Sequence, residues 1–332
     1  MSIEFRNGCT GKNWLFALLA ALHGCGEAPA EGSYEHATEP LRGGAVITGA
    51  PGVVDFFLAS GYGTVEPGGA CTGSMIAPNV VLTAAHCLDS LGATTRSGGS
   101  NGFTIRYYDP KAGLRVVFSG TASWYVYPTY DGVGPTGPGG SNDDIAIIKT
   151  PRTFTDTSYR DYLRIYSDVG SSLMTNLTAY GAGIYSYSGS SDNRVRTTWF
   201  EVESVEAHHI VVDTRDLVSV CKGDSGGPLV YSVSLVGKSL PTIAGVASKA
   251  EADSGNEGKF CANNDPPHDD AYYCRSNWTH MQWAATAAGM ACNLHTAGSR
   301  DYRRCFSLPL VEDVDGEGFG RGQGTAIAMS FM

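Results

Sequence analysis

Between residues 46 and 275 the chain sets short apolar runs between clusters of Gly, Pro, Ser, Asn and Asp, a pattern of strands and tight turns rather than of long helices. The segments "SMIAPNVVLTAA" (74–85), "FTIRYY" (103–108), "LRVVFSGTASWYVY" (114–127), "DIAIIKT" (144–150) and "SLMTNLTAY" (172–180) are predicted strands. So are "WFEVESV" (199–205), "HHIVVD" (208–213), "GPLVYSV" (227–233) and "TIAGVAS" (242–248), all rich in Val, Ile, Tyr and Phe. Pro128, "GPTGPGGSND" (134–143) and "SDVGSS" (167–172) punctuate loops. So many short strands at this spacing predict barrels or a sandwich, and no fixed-period repeat is present.

One segment breaks the pattern. "NWTHMQWAATAAGM" (277–290) is rich in helix formers and is expected to be a helix that lays Trp278, Met281 and Trp283 on the body of the protein. Residues 291–332 read as a Gly-rich C-terminal extension, with Cys292 and Cys305 a plausible local disulfide.

The first 25 residues differ from the rest. Arg6 and Lys12 precede "WLFALLAAL" and then the small, polar "HGCGEAPAEGS", the layout of an export signal whose apolar run is too short to span a bilayer. "LHGC" (22–25) resembles a lipoprotein cleavage box, so Cys25 is a candidate for acylation and membrane anchoring. Residues 26–45 read as a propeptide or tether. The predicted location is therefore outside the cytoplasm, secreted or on the cell envelope.

Composition narrows the partners. A net charge of -10 and no basic run disfavour a nucleic-acid partner. Nine cysteines in an exported chain predict disulfides; with Cys9 and Cys25 in the leader, seven remain, so at least one is free or pairs elsewhere. The adjacent His208 and His209 would point to opposite faces of a strand and are read as structural, not as metal ligands. The acidic "NNDPPHDD" (263–270) is read as solvated loop charge rather than a calcium site, and no metal or cofactor is expected.

Three motifs carry candidate chemistry: "VLTAAHC" with His86, "NDDIAIIK" with Asp143 and Asp144, and "GDSGGP" with Ser225. Alone, "GDSGG" fits the nucleophile elbow of the α/β-hydrolases, but that fold needs its acid and histidine downstream in a parallel sheet. Here a histidine and an aspartate come first. The motifs and their order resemble those of trypsin/chymotrypsin-like serine peptidases over about residues 46–290, and the leader with its "LHGC" box suggests a bacterial secreted or lipoprotein-type member.

That resemblance implies an all-β fold: two antiparallel β-barrels, at about 46–160 and 161–275, with the active site in the crevice between them and a C-terminal α-helix. It implies a serine endopeptidase, monomeric and acting on protein or peptide substrates, in which His86 is the base, Asp144 its orienting carboxylate and Ser225 the nucleophile. Strand alternation sends Asp143 and Asp144 to opposite sides, and the family's pattern favours Asp144. The amides of Gly223 and Ser225 would form the oxyanion hole.

By the same resemblance, Cys71 pairs with Cys87 and Cys221 with Cys261, while Cys274 has no assigned mate. Ser219 would lie at the base of the specificity pocket, with Ser248 and Ala250 on its wall and Lys249 where the family usually has Trp; such a pocket suits apolar or aromatic groups. Zymogen activation would pair a freed Val46 ammonium with Asp224, although Ala45, not Arg, precedes the cut. The rival reading is a catalytically silent, peptidase-like binding module.

Overall fold

The computed structural model describes residues 41, 44–47, 52–58, 71–93, 97–109, 113–132, 143–155, 163–166, 175–183, 194–214, 220–221, 223–235, 238–251, 270–297 and 300–307. The expected export signal, Cys25, Ser219 and Cys261 lie outside the described residues. In chain order the strands are β1 (Ala45–Val46), β2 (Val53–Leu58), β3 (Cys71–Ala77), β4 (Val80–Thr83), β5 (Gly98–Asp109), β6 (Gly113–Val126), β7 (Ala146–Lys149) and β8 (Arg164–Tyr166). There follow β9 (Asn176–Gly181), β10 (Arg196–Val205), β11 (His209–Asp213), β12 (Pro228–Leu235), β13 (Lys238–Glu251), β14 (Asp270–Arg275), β15 (Met290–Ala297) and β16 (Arg300–Ser307). A 3₁₀ turn, His86–Leu91, follows β4, and helix α1 (Trp278–Ala288) precedes β15.

Strands β2 to β7 close into an antiparallel barrel in the order β2-β3-β4-β7-β6-β5. A second ring runs β12-β9-β10-β11-β14-β13 and closes through the β12–β13 hairpin. The fold is thus the expected one, two six-stranded antiparallel barrels followed by a short C-terminal helix.

The apolar runs follow from this arrangement. In β7 and the residue before it, Ala146 and Ile148 fill the first barrel while Ile145 and Ile147 join a separate core, with Ile243, Val246 and Met281 of the second half. Likewise Val81 faces the first barrel, and Val80 and Leu82 the shared core. A strand apolar on both faces in sequence is one wedged between two cores. The second barrel has its own filling, including Leu177, Phe200, Ile210, Leu229 and Tyr273. By contrast, β10 alternates buried and exposed positions and leaves Trp199 68% exposed.

The C-terminal region departs from the sequence reading in two respects. Residues 290–307, expected mostly as an extension, form a hairpin whose Cys292 and Cys305 sit opposite one another and are joined by a disulfide. The hairpin joins the sheet of the second barrel through β8, which pairs with β16 and lies parallel to β13. Its strands carry Asn, His, Asp and Arg in place of an apolar run, so pairing and a covalent bond define them rather than periodicity. In α1 the buried stripe is His280, Met281, Ala284 and Ala288, while Trp278 lies at its rim, 37% exposed beneath the Arg303 guanidinium. The side chain of Asn277 caps the helix by accepting from the His280 amide, and Gly289 ends it in a left-handed turn.

Candidate active site

His86 opens the 3₁₀ turn directly after β4, on a chain anchored by the fully buried Ala84 and Ala85. Asp144 lies just ahead of β7, which pairs with β4, so the sheet brings the two residues together. One carboxylate then holds both the backbone and the ring of the histidine: the His86 amide donates to Oδ1 at 2.9 Å and Nδ1 to Oδ2 at 2.6 Å. An ionised carboxylate only accepts, so Nδ1 carries the hydrogen and Nε2 keeps its lone pair when the ring is neutral.

Burial alone would raise the pKa of Asp144, but the His86 charge, the His86 ring bond and the hydroxyl of Ser248 outweigh it and hold the group below its ordinary value. For His86 burial opposes protonation, yet the Asp144 charge and bond, with Asp89 adding to them, leave its pKa raised. Asp89 is itself fixed by the hydroxyl of Tyr130, at 2.9 and 3.0 Å.

Asp143 turns the other way. Its carboxylate accepts from Thr129 Oγ1 at 2.8 Å and His208 Nδ1 at 2.9 Å, and lies 3.2 Å from His280 Nε2. Burial pulls its pKa upward, but these bonds bring it down to about 2. His209 is fully buried, with its ring edge-on to Tyr272, so the neighbouring histidines do have separate surroundings.

Ser225 sits in a turn stitched by short-range bonds, Asp224 N to Cys221 O and Gly227 N to Asp224 O, and tied to β13 through Gly226 and Ala247. The first barrel braces it: Thr72 donates its amide to the Ser225 carbonyl at 2.9 Å and its hydroxyl to the Gly223 carbonyl at 2.7 Å. That closeness explains the glycine after the serine. At Gly226, φ is +84° and a Cβ would stand 2.1 Å from Thr83 Oγ1 and 2.2 Å from the Thr72 carbonyl oxygen. Among the described residues, neither the Gly223 nor the Ser225 amide donates to a protein acceptor.

The structure joins Cys71 to Cys87, and the Cys87 sulfur lies 4.0 Å from His86 Nε2 and 3.7 Å from the Ser225 carbonyl oxygen, so the two candidate residues flank one sulfur. Although Cys71, His86 and Cys87 cluster tightly, the sulfurs are bonded to each other and offer no thiolate to a metal. Cys221 is also in a disulfide, whereas Cys274 is a buried free thiol.

Beside Ser225 opens a cavity of about 270 Å³ lined by Val220, Cys221, Ala247, Ser248, Lys249 and Ala250. A register shift in β13 between Ala247 and Lys249 takes Ser248 out of the ladder, and its hydroxyl donates to Asp144 Oδ2 at 2.5 Å. Ser248 therefore touches both the cavity and the acid, a link that the sequence reading, which placed it on the pocket wall, did not contain. Asp224 is fully buried and accepts from the amides of Cys221 (2.8 Å) and Gly183 (2.9 Å). Burial pushes its pKa up to about 7 in spite of those amides and the Arg196 charge. Val46 lies in β1, paired with Arg196.

A family model described as Trypsin matches residues 50–263, a stretch that contains His86, Asp144 and Ser225. The chain belongs to the trypsin family. Among its relatives, a venom serine protease of Polistes dominula is 25% identical over 219 residues, 60% of this chain and 71% of that protein. A chymotrypsin of Phaedon cochleariae is 28% identical over 52% of this chain and 63% of its own length. Brachyurin of Leptuca pugilator is 29% identical over 49% of this chain and 71% of its own. These are arthropod proteins, and they lend no support to a bacterial or lipoprotein-type membership.

Proposed function

We propose that this trypsin-family chain is an exported serine endopeptidase. The observation that carries the reading is the double grip of Asp144 on His86 beside a cavity lined by Ser225. In the proposed reaction Ser225 Oγ bonds to the substrate carbonyl carbon while its proton passes to His86 Nε2. Hydrogen bonds from the Gly223 and Ser225 amides stabilise the resulting oxyanion, and the absence of a protein acceptor for either amide among the described residues supports this role. The carbon–nitrogen bond then breaks, His86 returns the proton to the departing amine, and water attacks the acyl-enzyme by the same route to release the acid. Asp144 keeps the ring in the productive tautomer and stabilises the imidazolium, with Ser248 sharing its charge.

Substrates with apolar or aromatic side chains before the scissile bond are favoured. The wall residues Ala247, Ser248 and Ala250 are small and uncharged, and none of them offers a carboxylate to a Lys or Arg side chain. Export rests on the leader and the disulfides, activation on a cut before Val46, and acylation of Cys25 on the "LHGC" box alone; mass spectrometry of the secreted form reads all three.

The deciding experiment is labelling with a fluorophosphonate probe. Folded wild-type protein should label and Ser225→Ala should not. A folded, processed wild-type protein that fails to label would instead point to a silent binding module. Peptide substrates with Arg outperforming those with Phe or Leu would overturn the specificity assignment.

A further inference from the structure

We infer that Asp143 is a positioning residue, the centre of a clamp that fixes the segment bearing Asp144 against the second barrel and helix α1. The inference rests on the peptidase reading of the site. His86 and Asp144 belong to the first barrel and Ser225 to the loop entering β12 of the second, so nucleophile and base meet only if the barrels keep their mutual register.

The donors to Asp143 come from three separate places. Thr129 follows β6 of the first barrel, His208 stands in the turn between β10 and β11 of the second, and His280 lies in the first turn of α1. The two histidine donors are themselves held. The His208 carbonyl accepts from the Arg275 amide at 2.8 Å. His280 sits on the Asn277 cap, is 3% exposed and meets the ring of Tyr127 at 4.5 Å, and the Tyr127 amide bonds the Ile145 carbonyl at 2.9 Å. The loop of bonds therefore returns to the residue after Asp144. With the Ile145 amide also donating to the Asp143 carbonyl at 2.8 Å, residues 143–145 are pinned from both sides of the boundary between the barrels.

His208 and His280 both approach Oδ1, and Thr129 approaches Oδ2. An asparagine can keep this geometry without the charge: its Oδ1 accepts from the imidazoles, and its amide can donate to the Thr129 hydroxyl. Alanine cannot. The clamp thus predicts that Asp143→Ala lowers kcat about 10- to 100-fold, the scale of a sub-ångström to ångström misplacement of catalytic groups, with KM within about twofold. Asp143→Asn should restore kcat to within about threefold of wild type, and the surface-side variant His208→Ala should lower it about two- to fivefold.

Kinetics per labelled active site, with folding checked by circular dichroism, test this. An independent readout is the strongly deshielded NMR proton of the His86–Asp144 bond, assigned by its loss in His86→Gln. It should shift or broaden in Asp143→Ala and persist in Asp143→Asn. Wild-type kcat in folded Asp143→Ala, unchanged kcat in His208→Ala, or an Asn variant as impaired as Ala would overturn the clamp. Because the NMR signal needs no turnover, a wild-type protein without hydrolytic activity would refute the peptidase reading and still leave the clamp decidable.

Discussion

Thr72 tests most directly whether the first barrel shapes the loop around Ser225. Its hydroxyl donates to the Gly223 carbonyl at 2.7 Å and accepts from the Ala182 amide at 3.0 Å, and the residue is wholly buried. Thr72→Val keeps the volume and the backbone bond to the Ser225 carbonyl but leaves one carbonyl and one amide without a partner. At about 1–3 kcal/mol for each buried polar group left unsatisfied, the loss should be about 2–6 kcal/mol. In a protein of this size that corresponds to a fall in Tm of roughly 3–9 °C. Gly223, whose amide is one of the two proposed oxyanion donors, would also lose the anchor on its carbonyl, so kcat should drop about tenfold or more. Thr72→Ser keeps the hydroxyl and should recover most of the activity while losing about 1 kcal/mol for the missing methyl. Urea unfolding and burst titration of acyl-enzyme measure the two effects separately. A valine variant within about 0.5 kcal/mol of wild type and with unchanged turnover would refute the bracing argument.

Other outcomes follow from the charges in and around the site. The raised pKa of His86 means that kcat/KM should fall on acidification through a value above the ordinary imidazole range; Asp144→Asn should move that limb to lower pH and cost on the order of 10⁴-fold in kcat, as pH–rate profiles would show. Asp224 is protonated more readily folded than unfolded, so its contribution to stability is fully present below its unfolded pKa and lost as pH rises through about 7. Unfolding free energy of the intact chain should therefore decline between about pH 4 and 7, with a slope approaching about 1.4 kcal/mol per unit near pH 5–6 that levels off above about pH 7, and the decline should vanish in Asp224→Asn. A form processed at Val46 that keeps the same decline would rule out an ammonium partner for Asp224. Burial pushes the Cys274 thiol well up from its ordinary pKa, so iodoacetamide should spare it in the native protein and modify it in guanidinium, as peptide mapping would report.

The sequence by itself determined the strand-rich architecture and the candidate chemistry, because both are written in local order. Runs such as "IAII" record that both faces of β7 are buried, and period-two alternation sends Asp143 and Asp144 to opposite sides. Of the elements that escaped it, β2 has such an apolar run and three others lack that record. β14, with Asp270 and Arg275 at its ends, follows an acidic stretch, and β15 and β16 are strands by virtue of their partners and a disulfide. In α1 the sequence could mark the helix but not which side the body would cover, so Trp278 took the rim and His280 the interior. Only the tertiary structure decided that Thr72 would reach Gly223 across 151 positions, that a register shift in β13 would aim Ser248 at Asp144, and that two distant histidines would converge on Asp143. A single polar side chain carries no periodic signal, and its partner is fixed only when the two barrels have closed and packed against one another.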